Sequence, residues 1–161
     1  MHTAYLALGA NLGDAHATLE AACAAIAALP ETRWQRRSSW YRSRPVESTG
    51  PDYVNGVAEV QTALAPLALL DALQAIELQH GRERPYRNAP RTLDLDLLLY
   101  GDLHLDSERL VIPHPRLAER AFVLLPLLEL RPSLTWPGVP DLPAHAAELA
   151  QHQGIEREDD L

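Results

Sequence analysis

The stretch Leu93-Asp94-Leu95-Asp96-Leu97 constrains the fold more than any other part of the chain, because its residues alternate strictly between apolar and charged. A period of two belongs to a strand: successive side chains leave opposite faces of a sheet, so the leucines face one way and both carboxylates the other. An ordinary strand with one wet face would read the same. Aspartate is depleted from strand interiors, however, and two of them at this spacing are awkward for that plain account.

Other segments supply the partners this strand needs. Thr3 to Gly9 is a short apolar run ending in glycine, as a buried strand would. Residues 14–29 are alanine-rich, with Leu19, Cys23, Ile26 and Leu29 at helical spacing; Asn11 or Asp14 is placed to cap the start, and Pro30 follows the end. Arg33 to Arg42 reads as a strand, Arg44 to Asp52 as a loop, and Val54 to Thr62 as a second alternating strand. Pro66 sits at a helix start; Leu69, Leu70, Leu73, Ile76 and Glu77 continue that helix towards Gly81. An arginine-rich loop, 82–91, leads into a strand from Thr92 to Tyr100. The order β-α-β-β-α-β predicts an α+β fold of the ferredoxin-like type: an antiparallel sheet with helices packed on it. Further on, a hairpin at Gly101-Asp102 and helices over 121–130 and 143–151 are C-terminal additions. At 161 residues the chain matches one domain, expected over 1–152. Residues 153–161 are expected to form a flexible acidic tail, since Glu156 to Asp160 carry no apolar pattern.

The charged residues narrow the chemistry. All 14 basic residues are arginine, which removes lysine Schiff bases and the P-loop lysine together. A net charge of −8 argues against a nucleic-acid surface. Half of the arginines nevertheless fall between Arg82 and Arg120, which suits a small anionic ligand bound through guanidinium forks. No apolar run approaches the ~20 residues of a membrane span. The N-terminus lacks a secretory pattern, and the single Cys23 cannot form an internal disulfide; both fit the cytoplasm.

On one strand face the Cα atoms of Asp94 and Asp96 would lie about 6.6 Å apart. Two carboxylates at that spacing can share a pair of hard cations about 3.5–4 Å apart, and Mg²⁺ suits them because it completes its shell with water and phosphate oxygen. Arg82, Arg84, Arg87 and Arg91 immediately precede the pair. A charge run alone is usually a solvated surface. Beside a di-carboxylate metal site, it completes the set needed for phosphoryl transfer, which asks for positioning and charge stabilisation rather than a nucleophile. His114, between two prolines, is placed to offer its ring to a phosphate, although a lone histidine is more often structural. Gly9 to Gly13 resembles a phosphate loop only weakly, lacking the lysine and a third glycine. Tyr53 and Asn55 share a strand face, a ring beside an amide.

Taken together, Ala4 to Gly13, Ser39-Trp-Tyr-Arg42, Pro51-Asp-Tyr-Val-Asn55, Ile76 to Arg82, Pro90-Arg-Thr-Leu-Asp-Leu-Asp96 and Ile112-Pro-His-Pro-Arg-Leu117, with Arg120 and Phe122, resemble the 6-hydroxymethyl-7,8-dihydropterin pyrophosphokinase family of folate biosynthesis. The resemblance implies transfer of an intact pyrophosphoryl group from ATP to the pterin's hydroxymethyl oxygen, giving AMP. It implies that Asp94 and Asp96 hold two Mg²⁺ ions and that Arg82 and Arg91 stabilise the transferring group. Gln74, Glu77, Arg84, Arg91, Arg109, His114 and Arg120 match positions around ATP. Tyr53 and Phe122 would sandwich the pterin, Asn55 would read its edge, and Ser43 and Val46 would offer backbone groups. The chain departs from the family pattern at Asn88 and Ala89, where tryptophan and glycine are common, and at Arg44 and Pro115. The family is usually monomeric. Competing readings are an RNA-binding module, disfavoured by the aspartates and negative charge, and another Mg²⁺-dependent phosphotransferase or phosphohydrolase.

Overall fold

The computed structural model of the chain describes residues 1–11, 14–43, 53–80 and 93–158. Five principal strands, β1 (His2–Ala10), β2 (Thr32–Arg37), β3 (Tyr41–Ser43), β4 (Tyr53–Thr62) and β5 (Asp94–Tyr100), and four helices, α1 (Ala15–Ala27), α2 (Pro66–His80), α3 (Ala121–Leu130) and α4 (Leu142–Gln153), make up most of it. A two-stranded hairpin, β6 (Leu105–Asp106) with β7 (Val111–Ile112), follows β5, and a terminal strand β8 (Ile155–Arg157) closes the chain. The main sheet runs β5-β1-β4-β3-β8, with β2 also on β4, and every pairing is antiparallel.

Alternation along β1 decides what packs where. Ala4, Leu6, Leu8 and Ala10 join Leu19, Ala22 and Ile26 of α1 and Leu69, Leu73 and Ile76 of α2 in one core. Tyr5 and Ala7 face the other way, with Val57, onto α3 and α4. The sheet is thus a central layer between two helical layers. Asp14 caps α1, its side chain accepting from the Ala17 N–H at 3.1 Å. Asp141 caps α4 in the same way, and Gly154 ends that helix at φ 66°, in the left-handed region that glycine enters without strain. Among the described residues no helix is long and apolar enough to cross a membrane.

Two sequence expectations need correction. The single strand expected over Arg33–Arg42 is two strands. At Ser38 the hydroxyl accepts from the Val57 N–H at 2.9 Å, and the ladder resumes only after Trp40 has crossed Gly56. The flexible tail expected over 153–161 is in part ordered: Gln153 ends α4, Ile155–Arg157 pair with β3, and Glu158 meets His16 of α1 at 2.9 Å. Backbone pairing to β3 and the buried side chain of Ile155 hold that segment. Residues 159–161 and the Gly81 cap position lie outside the described residues.

Candidate active site

The odd-numbered residues of β1 shrink from Tyr5 through Ala7 to Gly9, so the sheet surface falls away towards one end. The Tyr5 end is packed by the α3 layer. The Gly9 end opens into a cavity of about 620 Å³, within the range of small-molecule sites. Its floor is Ala7 and Gly9 of β1, Asp94 and Asp96 of β5, Tyr53 and Asn55 of β4 and Ser43 of β3; its wall is Glu119, Arg120, Phe122, His152, Gln153 and Ile155.

Both aspartates face this cavity, as the alternation of β5 predicted. Leu93, Leu95 and Leu97 point into the opposite core, at most 3% exposed. Asp94 pairs in register with Gly9 and Asp96 with Ala7, so small neighbours leave the carboxylates clear of the sheet. Glu77 holds this strand from the other side: it is only 4% exposed, and its Oε2 accepts from the Leu95 N–H at 2.8 Å. It therefore lies beneath the two aspartates, not in the cavity wall.

The opposite part of the floor suits a flat, polar ring. Asn55 is buried and donates from Nδ2 to Ser43 Oγ at 3.2 Å. Its Oδ1 lies over Gly9, where a Cβ would come within 2.8 Å of it. Half-buried Tyr53 lies two residues away on the same face, in register with Ser43. Across the cavity the Arg120 guanidinium stands over the Phe122 ring, 5.7 Å from its centroid.

His114 is docked on β5, its backbone N–H donating to the Leu98 carbonyl at 3.0 Å, and it does not line the cavity itself. Its Nδ1 accepts from the Arg116 N–H at 3.2 Å, which puts the neutral ring's proton on Nε2. Burial pushes its pKa down, and Asp96 opposes that shift. A neutral ring with a free N–H is a donor suited to a phosphate oxygen. Arg109 and Gln74, expected near ATP, do meet: Arg109 donates to Gln74 Oε1 at 3.3 Å and to Asp71 at 2.6 Å, outside the cavity wall. Arg82, Arg84, Arg91 and Val46 lie outside the described residues.

Sequence reasoning did not assign Glu119, His152, Gln153 or Ile155 to the site. The taper from Tyr5 to Gly9 was a readable signal for the cavity floor. The C-terminal wall had none, since polar residues on the short, amphipathic α4 look like a solvent face.

Fold and cavity together define a mixed α/β enzyme whose antiparallel sheet presents paired carboxylates to a ligand pocket. The family described as 7,8-dihydro-6-hydroxymethylpterin-pyrophosphokinase (HPPK) matches residues 5–132. A relative from Pseudomonas aeruginosa, 2-amino-4-hydroxy-6-hydroxymethyldihydropteridine pyrophosphokinase, is 50% identical over 154 residues, covering 95% of this chain and 94% of its own. The protein of that name from Haemophilus influenzae is 45% identical over 156 residues, 96% of this chain and 98% of its own. In fold, the chain is similar to wild-type Plasmodium falciparum HPPK-DHPS crystallised with SDX-DHP, with a TM-score of 0.72 at 14% identity, covering 94% of this chain and 45% of that one. An HPPK-DHPS solved in complex with substrates also gives a TM-score of 0.72, at 12% identity over 98% of this chain and 48% of that one. The chain thus spans about half the length of these solved structures. It belongs to the 7,8-dihydro-6-hydroxymethylpterin-pyrophosphokinase family.

Proposed function

We infer that this chain is the enzyme that transfers a pyrophosphoryl group from ATP to the hydroxymethyl group of 6-hydroxymethyl-7,8-dihydropterin, releasing AMP, in folate biosynthesis. The observation that carries the reading is the match to named pyrophosphokinases along almost their whole length and its own.

The residues divide the work as follows. Asp94 and Asp96 would hold Mg²⁺. Hard carboxylate oxygens suit that ion, and it binds through one or two carboxylates plus substrate phosphates. Among the described residues no three His, Cys, Asp or Glu side chains assemble into a cage, so phosphate oxygens would complete the shell. Two such ions, when bound with ATP, neutralise phosphate charge and stabilise the transferring group. Tyr53 and Phe122 stack on the pterin from either side of the cavity, and Asn55, fixed by Ser43 and Gly9, reads its hydrogen-bonding edge, with Val46 adding backbone contacts. Arg120 and His114 donate to phosphate oxygens, Arg84 and Arg91 serve the nucleotide, and Arg82 and Arg91 stabilise the transferring group. Gln74 and Arg109 serve the nucleotide from α2 and the β6–β7 hairpin. Glu77 acts on it through β5, by holding Leu95 between the two metal ligands.

The order β5-β1-β4-β2 with α1 and α2 on one face supports a ferredoxin-like description of the core. The enzyme works as a cytoplasmic monomer and binds neither nucleic acid nor membrane, a reading that rests on its acidity, its single cysteine and its lack of a long apolar run, and for the monomer on the family resemblance. Incubation with ATP and Mg²⁺ tests the function: AMP should form only when the hydroxymethyl-dihydropterin is added. ADP as product would place the chain among other phosphotransferases.

A further inference from the structure

Phe122 and Arg120, two of the cavity residues, stand at the start of α3, where the helix leaves the turn Leu117–Glu119. Arg120 is the N-cap residue and its side chain makes no capping hydrogen bond, so the first helical N–H groups need partners from elsewhere. One turn later Pro126 sits inside the helix, and it has no N–H to give to the Phe122 carbonyl. The Leu124 N–H still donates to the Arg120 carbonyl at 2.9 Å, so what must be found elsewhere is a partner for the first N–H groups, Ala121 among them, and for the bond to Phe122 that Pro126 cannot supply.

The missing partner of Ala121 comes from α4, beyond residues 5–132 over which the family description matches. Gln153 Oε1 accepts from the Ala121 N–H at 2.9 Å, and Gln153 Nε2 donates to the Glu119 carbonyl, also at 2.9 Å. One carboxamide thus brackets Arg120 and caps α3 from a separate element. His145, two turns earlier on α4, donates from Nε2 to the Ala118 carbonyl at 2.7 Å. The back of the Phe122 ring rests on a small core built from Tyr41, Ala121 and Ile155, and Ile155 is the residue of β8 paired with Ser43.

We propose that Gln153 is a positioning residue for the reaction: its side-chain amide fixes the 119–121 backbone, and through it the Phe122 ring against the pterin and the Arg120 guanidinium against phosphate. The proposal rests on the function proposed above. It predicts an uneven loss. The pterin depends on one ring held in one place, whereas the nucleotide has many anchors, of which Arg120 is one.

Gln153→Leu keeps the volume and removes both hydrogen bonds; Gln153→Glu keeps the acceptor for Ala121 and loses the donor to Glu119. Pterin binding measured by calorimetry should weaken about tenfold in Gln153→Leu and about threefold in Gln153→Glu. Binding of a non-hydrolysable ATP analogue with Mg²⁺ should stay within about twofold of wild type in both, because a single contact among several is loosened. A folded Gln153→Leu protein with wild-type pterin affinity would overturn the proposal. So would equal losses for both ligands that track the fall in melting temperature, the mark of a general scaffold role. If Gln153→Leu does not fold, Gln153→Glu decides, and wild-type pterin affinity there is equally fatal. Failure of the functional reading looks different: the wild-type chain itself would neither bind the pterin nor form AMP, and the proposal would fall with it.

Discussion

The two faces of the central sheet are built from the same strands and do opposite things. Towards α1 and α2, β1 presents Ala4, Leu6, Leu8 and Ala10, none more than 2% exposed, and β4 presents Val54, Ala58 and Val60. Towards the cavity those strands present Ala7, Gly9, Tyr53 and Asn55, and β5 adds two aspartates. One face is close-packed apolar volume, where stability resides. The other is packed by α3 and α4 at its Tyr5 end and leaves space and polar groups uncovered at its Gly9 end, at the expense of that stability. Because neighbouring residues along a strand belong to different faces, folding and chemistry can be perturbed separately with substitutions one or two positions apart.

The largest separation is expected at Asp96, an exposed side chain on the cavity face. Asp96→Ala should lower turnover by at least about a thousandfold, since a metal site supplies several kcal/mol of transition-state stabilisation at 1.36 kcal/mol per tenfold. Its melting temperature should stay near that of wild type. Retained turnover in Mg²⁺ would remove the metal assignment. Two glycines sharpen the contrast with one and the same substitution. Gly56 lies on the helical face beneath Trp40, where a Cβ would stand 2.6 Å from the indole. Gly56→Ala should cost about 1–3 kcal/mol of stability in urea titrations, as overpacking does, with pterin affinity intact in the folded protein. Gly9→Ala should do the reverse. Its Cβ would displace Asn55 Oδ1, and calorimetry should show pterin binding weakened about tenfold with little change in unfolding. Loss of stability in both, or in neither, would mean that the faces are not independent.

The smallest effect concerns the helical face alone. Cys23 packs against that core, and burial raises its thiol pKa to about 11. The thiolate is the reactive form. Alkylation of the native protein should therefore be slow at pH 8, rise about tenfold per pH unit towards pH 11, and become rapid in denaturant. Fast labelling of the folded chain at pH 8 would show that the core is looser there than its packing indicates.

What could be read from the sequence follows the same division. Local periodicity is enough for β1, β4, β5 and α2, and the apolar run 121–130 coincides with α3, because each buries one face against the sheet. The direction of Asp94 and Asp96 came from alternation alone. Contacts distant in sequence carried no such signal. Nothing in Arg33–Arg42 shows that Trp40 must cross Gly56 and split the strand. The polar segment after Gly154 does not reveal that its backbone finds β3, with Glu158 held by His16. Gln153 and His145 look like solvent-facing residues, and only the fold brings the 118–121 backbone to them. A side chain whose partner lies some thirty positions away in the chain is invisible to any local pattern.

Glu77 carries a consequence beyond the cavity. Among the described residues β5 is the outermost strand on its side of the sheet, and the Leu95 N–H turned away from β1 is met by that buried carboxylate. An outer strand rich in leucine is a template for a strand from another molecule. The acid occupies the group on which such pairing would begin, so a substitution there that removes the acceptor should first betray itself as concentration-dependent aggregation.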